Sequence, residues 1–372
     1  MAMAQSQNPM QQNAIARAAM AGRGVQMRQK IGTFGPFAMG STNRIRLLNA
    51  GVLTKLTMEV TATVTIATAT VTPSSCGPYN LFSTVNVIDY NQVDRVKTDG
   101  YSLQALQGIK YRRYYNDSSA ALVSTGLLEV PTTVGTGTLH YIQDIPLAYD
   151  AEGIFGGGPD YRGAVLAQTV VGEQFLQLTL PSAGQGADPI IFPYATGTGT
   201  ATITNVYVTL YQEYTQPATL ADLPLLDLQT IYEIKGNYIS STNIASNTTK
   251  YVDYPNVRSV LSSLCILEDN TALATATEFN QIRLIANGNT NLRESSYSLN
   301  RQHLRNALGG DLAHGVFYTS SRQQPVSTAL YGNVQLALDF ATITGGGSTY
   351  LQTQFESFYP AGTPLPGVQT AG

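Results

Sequence analysis

Apolar and polar residues alternate along much of the chain with a period of two. Between Glu59 and Ile66, apolar side chains alternate with threonines, as a strand with one buried face requires. The same pattern predicts further short strands at Ser83–Tyr90, Thr138–Ile142, Gln174–Leu180, Ile203–Tyr214, Val257–Leu267, Asn280–Ala286, Gly315–Thr319, Val334–Phe340 and Tyr350–Phe358. Turn signals such as Asn287-Gly288 separate these runs. Many short strands joined by such turns predict an all-β protein made of sandwiches or barrels.

Two short predicted helices indicate an internal repeat. They lie near Tyr101–Gln107 and Leu299–Leu308, and the tripeptide Tyr-Ser-Leu occurs at the start of both. The matching segments, in chain order, are 101–103 with 297–299, 146–150 with 316–320, and 174–180 with 334–340. Each match is weak alone, but their constant order favours a duplicated β module over coincidence.

The two ends and the middle of the chain differ from this repeat. Asn8-Pro9 is a plausible helix start, an alanine-rich helix is predicted through Ala21, and residues 31–50 are predicted to be extended and irregular. Pro217 and Pro224 exclude a central strand in the apolar segment between the modules, which is therefore predicted to be a packed linker. The predicted division is an N-terminal arm at 1–50, a first module at 51–215, a linker at 216–228, a second module at 229–359 and a C-terminal tail at 360–372.

The composition is poor in charged residues and rich in tyrosine. Charged residues make up only 12% of the chain, while it contains 22 tyrosines. Interfaces are depleted in Lys, Glu and Asp and enriched in Tyr, so the composition favours a protein that neighbours surround. Ordinary β proteins also favour Thr and Tyr in their strands, and composition leaves both interpretations open.

The charge is unevenly distributed, although the net charge is only -3. No acidic residue precedes Glu59, whereas the N-terminal segment contains several cations. Four of them, Arg17, Arg23, Arg28 and Lys30, are predicted to face an anionic lipid surface, where each basic residue contributes roughly 1 kcal/mol. A tail with incidental basicity and contact with packaged nucleic acid are the alternatives that the residues leave open.

A search for catalytic motifs predicts that the protein is not an enzyme. The three histidines, His140, His303 and His314, are not part of a zinc or nucleophile motif, and no Gly-Lys pair exists to form a phosphate-binding loop. We therefore expect no catalytic residue, no metal site and no cofactor. Cys76 and Cys265 do not suggest a disulfide framework, and the polar N-terminus lacks the apolar region of a signal peptide. Synthesis in a cytoplasm is expected.

Several sequence blocks resemble the major capsid proteins of tectiviruses, the tailless phages with a membrane inside an icosahedral shell. The blocks, in chain order, are Pro146-Leu147-Ala148-Tyr149, Gly163-Ala164-Val165-Leu166-Ala167, Leu223-Pro224-Leu225-Leu226-Asp227-Leu228, Ile231-Tyr232, Gly315-Val316-Phe317-Tyr318 and Tyr331-Gly332-Asn333-Val334. The arm at 14–29 is also similar to the N-terminal helix of this family. Together these blocks span most of the chain.

The resemblance implies a fold, partners and a location. The fold would be a double jelly roll, in which two eight-stranded β-sandwiches stand side by side, with a short N-terminal helical arm. The chain would form a homotrimer with a pseudo-hexagonal outline, contact neighbouring trimers and vertex and minor capsid proteins in the virion, and reach the internal viral membrane through its arm. No direct contact with nucleic acid is expected. The alternative is a receptor- or carbohydrate-binding spike of β-sandwich architecture, although the chain has no Trp for an aromatic platform.

Overall fold

A computed structural model describes residues 8–74, 76–110, 128–153, 159–168, 172–182, 192–195, 197–239, 244–269, 272–274, 277–308, 315–322, 324–331, 333–344 and 349–359. The helices are α1 (Pro9–Arg23), α2 (Gly100–Lys110), α3 (Leu225–Gln229) and α4 (Tyr297–Leu308), with short 3-10 turns at Tyr79–Leu81 and Leu220–Asp222. The first ten strands are β1 (Val25–Phe37), β2 (Thr42–Arg46), β3 (Val52–Ala67), β4 (Thr84–Ile88), β5 (Asp94–Thr98), β6 (Leu128–Glu129), β7 (Gly135–Pro146), β8 (Val165–Leu166), β9 (Phe175–Thr179) and β10 (Thr200–Gln216). The others are β11 (Tyr232–Ile239), β12 (Thr249–Asp253), β13 (Ser259–Asp269), β14 (Ala272–Leu273), β15 (Phe279–Ala286), β16 (Thr290–Ser296), β17 (Val316–Ser320), β18 (Val326–Ser327), β19 (Val334–Phe340) and β20 (Thr349–Phe358).

The same arrangement of eight main strands occurs twice. In the first half of the chain, one sheet has the order β1-β10-β3-β7 and the facing sheet the order β2-β9-β4-β5. In the second half, β11-β20-β13-β17 and β12-β19-β15-β16 repeat these orders strand for strand. Helix α2 lies between β5 and β7, as α4 lies between β16 and β17. The predicted duplication is confirmed, and the two repeats are eight-stranded jelly rolls.

One sheet passes from the first module into the second. Strand β5, at the edge of the first module, pairs in parallel with β11, at the edge of the second, through Val96 with Ile234 and Lys97 with Lys235. A ten-stranded sheet results, in which the β2-β9-β4-β5 sheet of the first module continues into the β11-β20-β13-β17 sheet of the second module. The modules therefore meet in a fixed orientation.

Each module has its own apolar core, as the alternating strands require. In β3, the inward positions from Leu56 to Ile66 are fully or almost fully buried, while the intervening threonines are partly exposed. A second cluster fills the second module, where Phe279 stacks on Phe317 with ring centroids 3.9 Å apart. A third, small cluster joins α1 to the linker through Met20 and Leu223.

Most predicted elements are confirmed, but the predicted irregular segment at 31–50 is wrong in part. Strand β1 occupies Val25–Phe37 and pairs with β10, while β2 pairs with β9. The prediction failed because Gly32, Gly35 and Pro36 interrupt the alternation, yet β1 is an edge strand, where bulges and proline are tolerated. Residues 217–228 contain no strand, as Pro217 and Pro224 predict, although Gln216 still belongs to β10; α1 begins at Pro9 with Asn8 as its cap. The C-terminal tail at 360–372 lies outside the described residues, and the division of the chain into domains stays a prediction.

Candidate functional site

The junction between the modules buries a polar helix. Of the residues of α2, all but Ala105 are buried, although the helix carries Ser102, Gln104, Gln107 and Lys110. The second module supplies partners for this surface, because the Ser102 hydroxyl donates a hydrogen bond to Gln352 at 3.3 Å. Thr98, at the end of β5, similarly donates to Gln354 at 2.7 Å. The outward face of β20 is thus the surface of the second module against which β5 and α2 pack.

A buried carboxylate lies at the centre of this junction. Glu356 is 1% exposed and accepts hydrogen bonds from Lys110 at 3.2 Å, from Arg322 at 2.9 Å and from Tyr232 at 2.5 Å. The Ser262 hydroxyl donates a further bond at 2.7 Å. These groups come from α2, β11, β13, β20 and the segment after β17, so one carboxylate ties five parts of both modules together.

The ionisation of this cluster follows from burial and from its unequal charges. Burial alone would raise the pKa of Glu356, but Arg322 and Lys110 together lower it below its ordinary value. For Lys110, burial lowers the pKa to about 8, because the attraction of Glu356 only partly offsets burial and Arg322 repels the ammonium. The cluster holds two cations around one anion, and Arg322 is the partner that neutralises it.

The N-terminal helix is fastened to the linker by polar contacts. Asn13 donates a hydrogen bond to Asp227 at 2.8 Å and accepts one from the backbone N–H of Leu226 at 3.0 Å. Arg17 forms an ion pair with the same Asp227 at 3.2 Å. Burial raises the pKa of Asp227, and the nearby Arg17 opposes this shift. Helix α1 is therefore a docked element of the structure.

The structure gives partners to three of the four cations that were predicted to face a membrane. Besides the Arg17–Asp227 pair, Arg23 lies 4.0 Å from Asp222, and Arg28 lies 2.6 Å from Glu213. Lys30 is exposed and has no ion pair among the described residues. The sequence missed these contacts, because the three acidic partners lie about 200 residues away in β10 and the linker. The membrane-facing role of the four cations stays a prediction.

Apolar side chains are exposed around the same end of the molecule. Met10 is 75% exposed and Ile15 is 56% exposed on α1, and in the linker Leu220 and Leu225 are 71% and 58% exposed. The helix packs against both the 3-10 turn of the linker and α3, so these side chains belong to one region. None of the described helices has both the length and the apolar character needed to cross a membrane.

The two described histidines, His140 and His303, lie near an acidic side chain and at an open cavity. His140 lies 3.3 Å from Glu59 across two paired strands, and His303 lines an open cavity of about 410 Å³ beside α4. His314 lies outside the described residues. Among the described side chains, no group of three or more His, Cys, Asp or Glu could hold a metal ion. Cys76 and Cys265 are both buried, neither forms a disulfide with another described residue, and burial raises the pKa of the Cys265 thiol.

Solved structures with this fold come from several viruses. The STIV major capsid protein superposes with a TM-score of 0.66 at 12% identity, covering 93% of this chain and all of the other. The PBCV-1 virus capsid gives a TM-score of 0.58 at 11% identity, and the major capsid protein P2 of bacteriophage PM2 gives 0.51 at 8%. These comparisons cover 90% of this chain and 94% and 97% of the viral chains. The fold is the double jelly roll of viral major capsid proteins.

The sequence comparisons then define the family. A family model for the N-terminal part of the P3 major capsid protein matches residues 20–217, and one for its C-terminal part matches residues 229–363. The major capsid protein P3 of Enterobacteria phage PRD1 is 25% identical over 332 residues, which cover 84% of this chain and 82% of the relative. This chain belongs to the P3 major capsid protein family. It is a structural protein of a tectivirus-type capsid, and a receptor- or carbohydrate-binding spike is not favoured.

Proposed function

We propose that the chain forms a homotrimer in which six jelly rolls make one pseudo-hexagonal capsomer of an icosahedral shell. The observation that carries this proposal is the internal repeat, in which one jelly roll docks on the next through unlike surfaces. A contact between unlike surfaces can be repeated until a ring closes, and two modules per chain require three chains for six positions. Such a capsomer would have no catalytic role, would be made in the host cytoplasm, and would meet vertex and minor capsid proteins in the virion.

Light scattering of the purified chain tests this proposal. At micromolar concentration we expect a mass of three chains, or about 120 kDa for a chain of 39.9 kDa. A particle of one chain at that concentration would contradict the proposal.

We also propose that the N-terminal arm lies against the internal membrane of the virion. Supporting this are the exposed apolar side chains of Met10, Ile15, Leu220 and Leu225, which suit the boundary between headgroups and acyl chains. Arg17 and Arg23 have acidic partners in the linker, so the apolar contribution is expected to exceed the electrostatic one. Lys30 and the paired arginines would lie near the anionic headgroups.

Vesicle co-sedimentation tests the membrane proposal. We expect Met10→Asp/Ile15→Asp to bind vesicles of mixed neutral and anionic lipids at least tenfold more weakly than the unchanged chain, because two charged groups would enter an apolar layer. Leu330→Asp is the matched control, since Leu330 is 82% exposed and lies outside the arm and linker. Substitution is cleaner than deleting residues 1–30, which would remove part of β1. Equal binding by the double variant and the unchanged chain would contradict a membrane role for the arm.

A further inference from the structure

A cavity of about 410 Å³ lies beside helix α4 in the second module. It forms at a side of the sandwich, where β16 is the edge strand of one sheet and β17 pairs with β13 in the other. Helix α4 contacts both strands and spans the gap between them. The volume falls within the range of about 300–1,000 Å³ that is usual for pockets that hold small molecules.

The floor of the cavity is apolar. It is lined by Ile282 and Leu284 from β15, Leu304 from α4 and Tyr318 from β17, which are 2%, 5%, 6% and 7% exposed. The two β15 residues belong to the core cluster of the second module and the other two to the first cluster, so the cavity lies between the clusters. Opposite Ile282 on β16 is Ser295, whose small side chain leaves space that a larger apolar residue would fill.

Polar contacts hold the walls of the cavity in place. Asn300 on α4 donates a hydrogen bond to the carbonyl oxygen of Tyr318 at 2.8 Å and accepts one from the backbone N–H of the same residue at 3.3 Å. Arg293 on β16 donates to the carbonyl oxygen of Ser320 at the end of β17. The helix and both strands are therefore tied to one another around the cavity.

The mouth of the cavity carries positive charge. Arg293 and His303 line it, and both are exposed. The bond to Ser320 uses one of the five N–H donors of Arg293, so others remain for a ligand. Helix α4 also carries Arg301 and Arg305 and has no acidic residue. Because Arg binds carboxylates through parallel hydrogen bonds, a guanidinium beside an apolar floor suits a ligand with a carboxylate at one end and an apolar tail.

The acidic residue at the cavity has partners of its own. Glu294 is among the lining residues, but it lies opposite Arg283 on the neighbouring strand, and Asn291 donates a hydrogen bond to its carboxylate at 3.1 Å. Side chains alternate along a strand, so Glu294 points to the opposite face of the sheet from Arg293 and Ser295. Its negative charge is therefore directed away from a carboxylate bound at Arg293.

We propose that this cavity binds a fatty acid, with the alkyl chain on the floor formed by Ile282, Leu284 and Leu304 and the carboxylate paired with Arg293. The bound chain fills the space between the two core clusters, and it stabilises the second module by mass action. Since the cavity lies within the second module, the inference rests neither on the proposed trimer nor on the proposed membrane contact of the arm.

Calorimetric titration of the full chain with decanoate, dodecanoate and tetradecanoate tests the proposal. We expect saturable binding of one molecule per chain, with an affinity that rises about fourfold for each added CH₂ until the cavity is full. Dodecanol has the same tail as dodecanoate without the charge, and it should bind at least tenfold more weakly, because it cannot form the charged pair with Arg293. Binding that does not saturate, or an affinity independent of chain length, would overturn the proposal.

Two substitutions in the cavity and one outside it locate the site. Ser295→Phe should fill the cavity and weaken dodecanoate binding at least tenfold, because the loss of about two buried CH₂ contacts already has this effect. Arg293→Gln should lose the preference for dodecanoate over dodecanol. Arg305→Gln is the matched control, since Arg305 is exposed on the same helix and is not among the described residues that line the cavity, and it should bind as the unchanged chain does.

Circular dichroism and thermal unfolding verify that the three variants are folded. If Arg293→Gln does not fold, Ser295→Phe and the comparison of dodecanol with dodecanoate still decide the matter. Dodecanoate binding by Ser295→Phe as tight as that by the unchanged chain would place the ligand elsewhere and refute the assignment. Tighter binding of a lysophosphatidylglycerol with the same chain length than of the fatty acid would also refute it, because the ligand would then be a membrane lipid.

Discussion

Replacement of the buried carboxylate at the module junction tests the energetic account of the fold most directly. Glu356→Gln keeps the size of the side chain and one acceptor oxygen, but it removes the negative charge that touches both Lys110 at 3.2 Å and Arg322 at 2.9 Å. Breaking a buried ion pair by removing one partner costs about 3–5 kcal/mol, because an uncompensated buried charge remains. A whole domain is stable by only about 5–15 kcal/mol, so the loss would be large.

Urea unfolding at pH 7 measures this loss, with Glu213→Gln as the matched control. Glu213 also pairs with two cations, Arg28 and Lys55, but its side chain is 19% exposed on the outer face of β10. Ion pairs that solvent reaches contribute roughly 0–1 kcal/mol, so the control should lose at most about 1 kcal/mol. If Glu356→Gln loses no more than Glu213→Gln, the junction does not depend on the buried charge.

The pH dependence gives a second check on the same variant. The pKa of Glu356 is lower in the folded state than its ordinary value of 4.5, so its stabilisation is present above that value and is lost as the pH falls through the folded pKa. The difference in unfolding free energy between the unchanged chain and Glu356→Gln should therefore be complete at pH 7 and should shrink below about pH 4.5. A difference that stays constant down to pH 3 would show that the charge of Glu356 is not its source.

Three further substitutions have defined outcomes. Lys110→Met should change the unfolding free energy by less than about 1 kcal/mol at pH 7. Burial lowers the pKa of Lys110 from 10.5 to about 8, so the unfolded chain binds more protons than the folded chain between these pH values and the stability of the unchanged chain rises there. Lys110→Met should flatten that rise. Gly163→Ala should lower the unfolding free energy by over 2 kcal/mol, because Gly163 has φ +88° and an added Cβ would collide with Tyr232, whereas Gly288→Ala, at φ +81° in open space, should cost about 1 kcal/mol. Asp227→Asn should speed trypsin cleavage within α1 several-fold with little effect on global unfolding, because it loosens only the docking of that helix. Unchanged cleavage rates would show that this contact does not hold the helix.

The strands that the sequence predicted are those with a core on one side and a clear alternation. β3 and β10 are long enough to show the period-two pattern many times, and both are central in their sheet. The missed strands lie mostly at sheet edges or are short and polar, such as β5 with the sequence Asp-Arg-Val-Lys-Thr and β16, of which no residue is buried. Edge strands satisfy half of their hydrogen bonds elsewhere and need few apolar residues, so their patterning is weak.

The polar sites were beyond sequence reasoning for a different reason. Glu356 lies in a strand whose other residues give no sign that two cationic and two hydroxyl groups converge on it from distant parts of the chain. The basic N-terminal segment was recognised, but the residues that pair with it, Asp222 and Asp227, are placed beside it only by the docking of α1 on the linker. Pairing across some 200 residues is set by the topology, and a single sequence has no local signal for it.

The polar character of the buried helix α2 has a consequence for synthesis. During translation the first module emerges and folds before the strands that cover α2 and β5 exist, since chains generally fold domain by domain from the N-terminus. β20, which supplies Gln352, Gln354 and Glu356 to the junction, ends at Phe358, near the last of the described residues. An apolar surface that stays exposed until β20 has been synthesised would promote aggregation, whereas Thr98, Ser102 and Lys110 can remain hydrated until their partners are present. The polar side chains of α2 and β5 therefore allow the junction to form late, after the first module has folded.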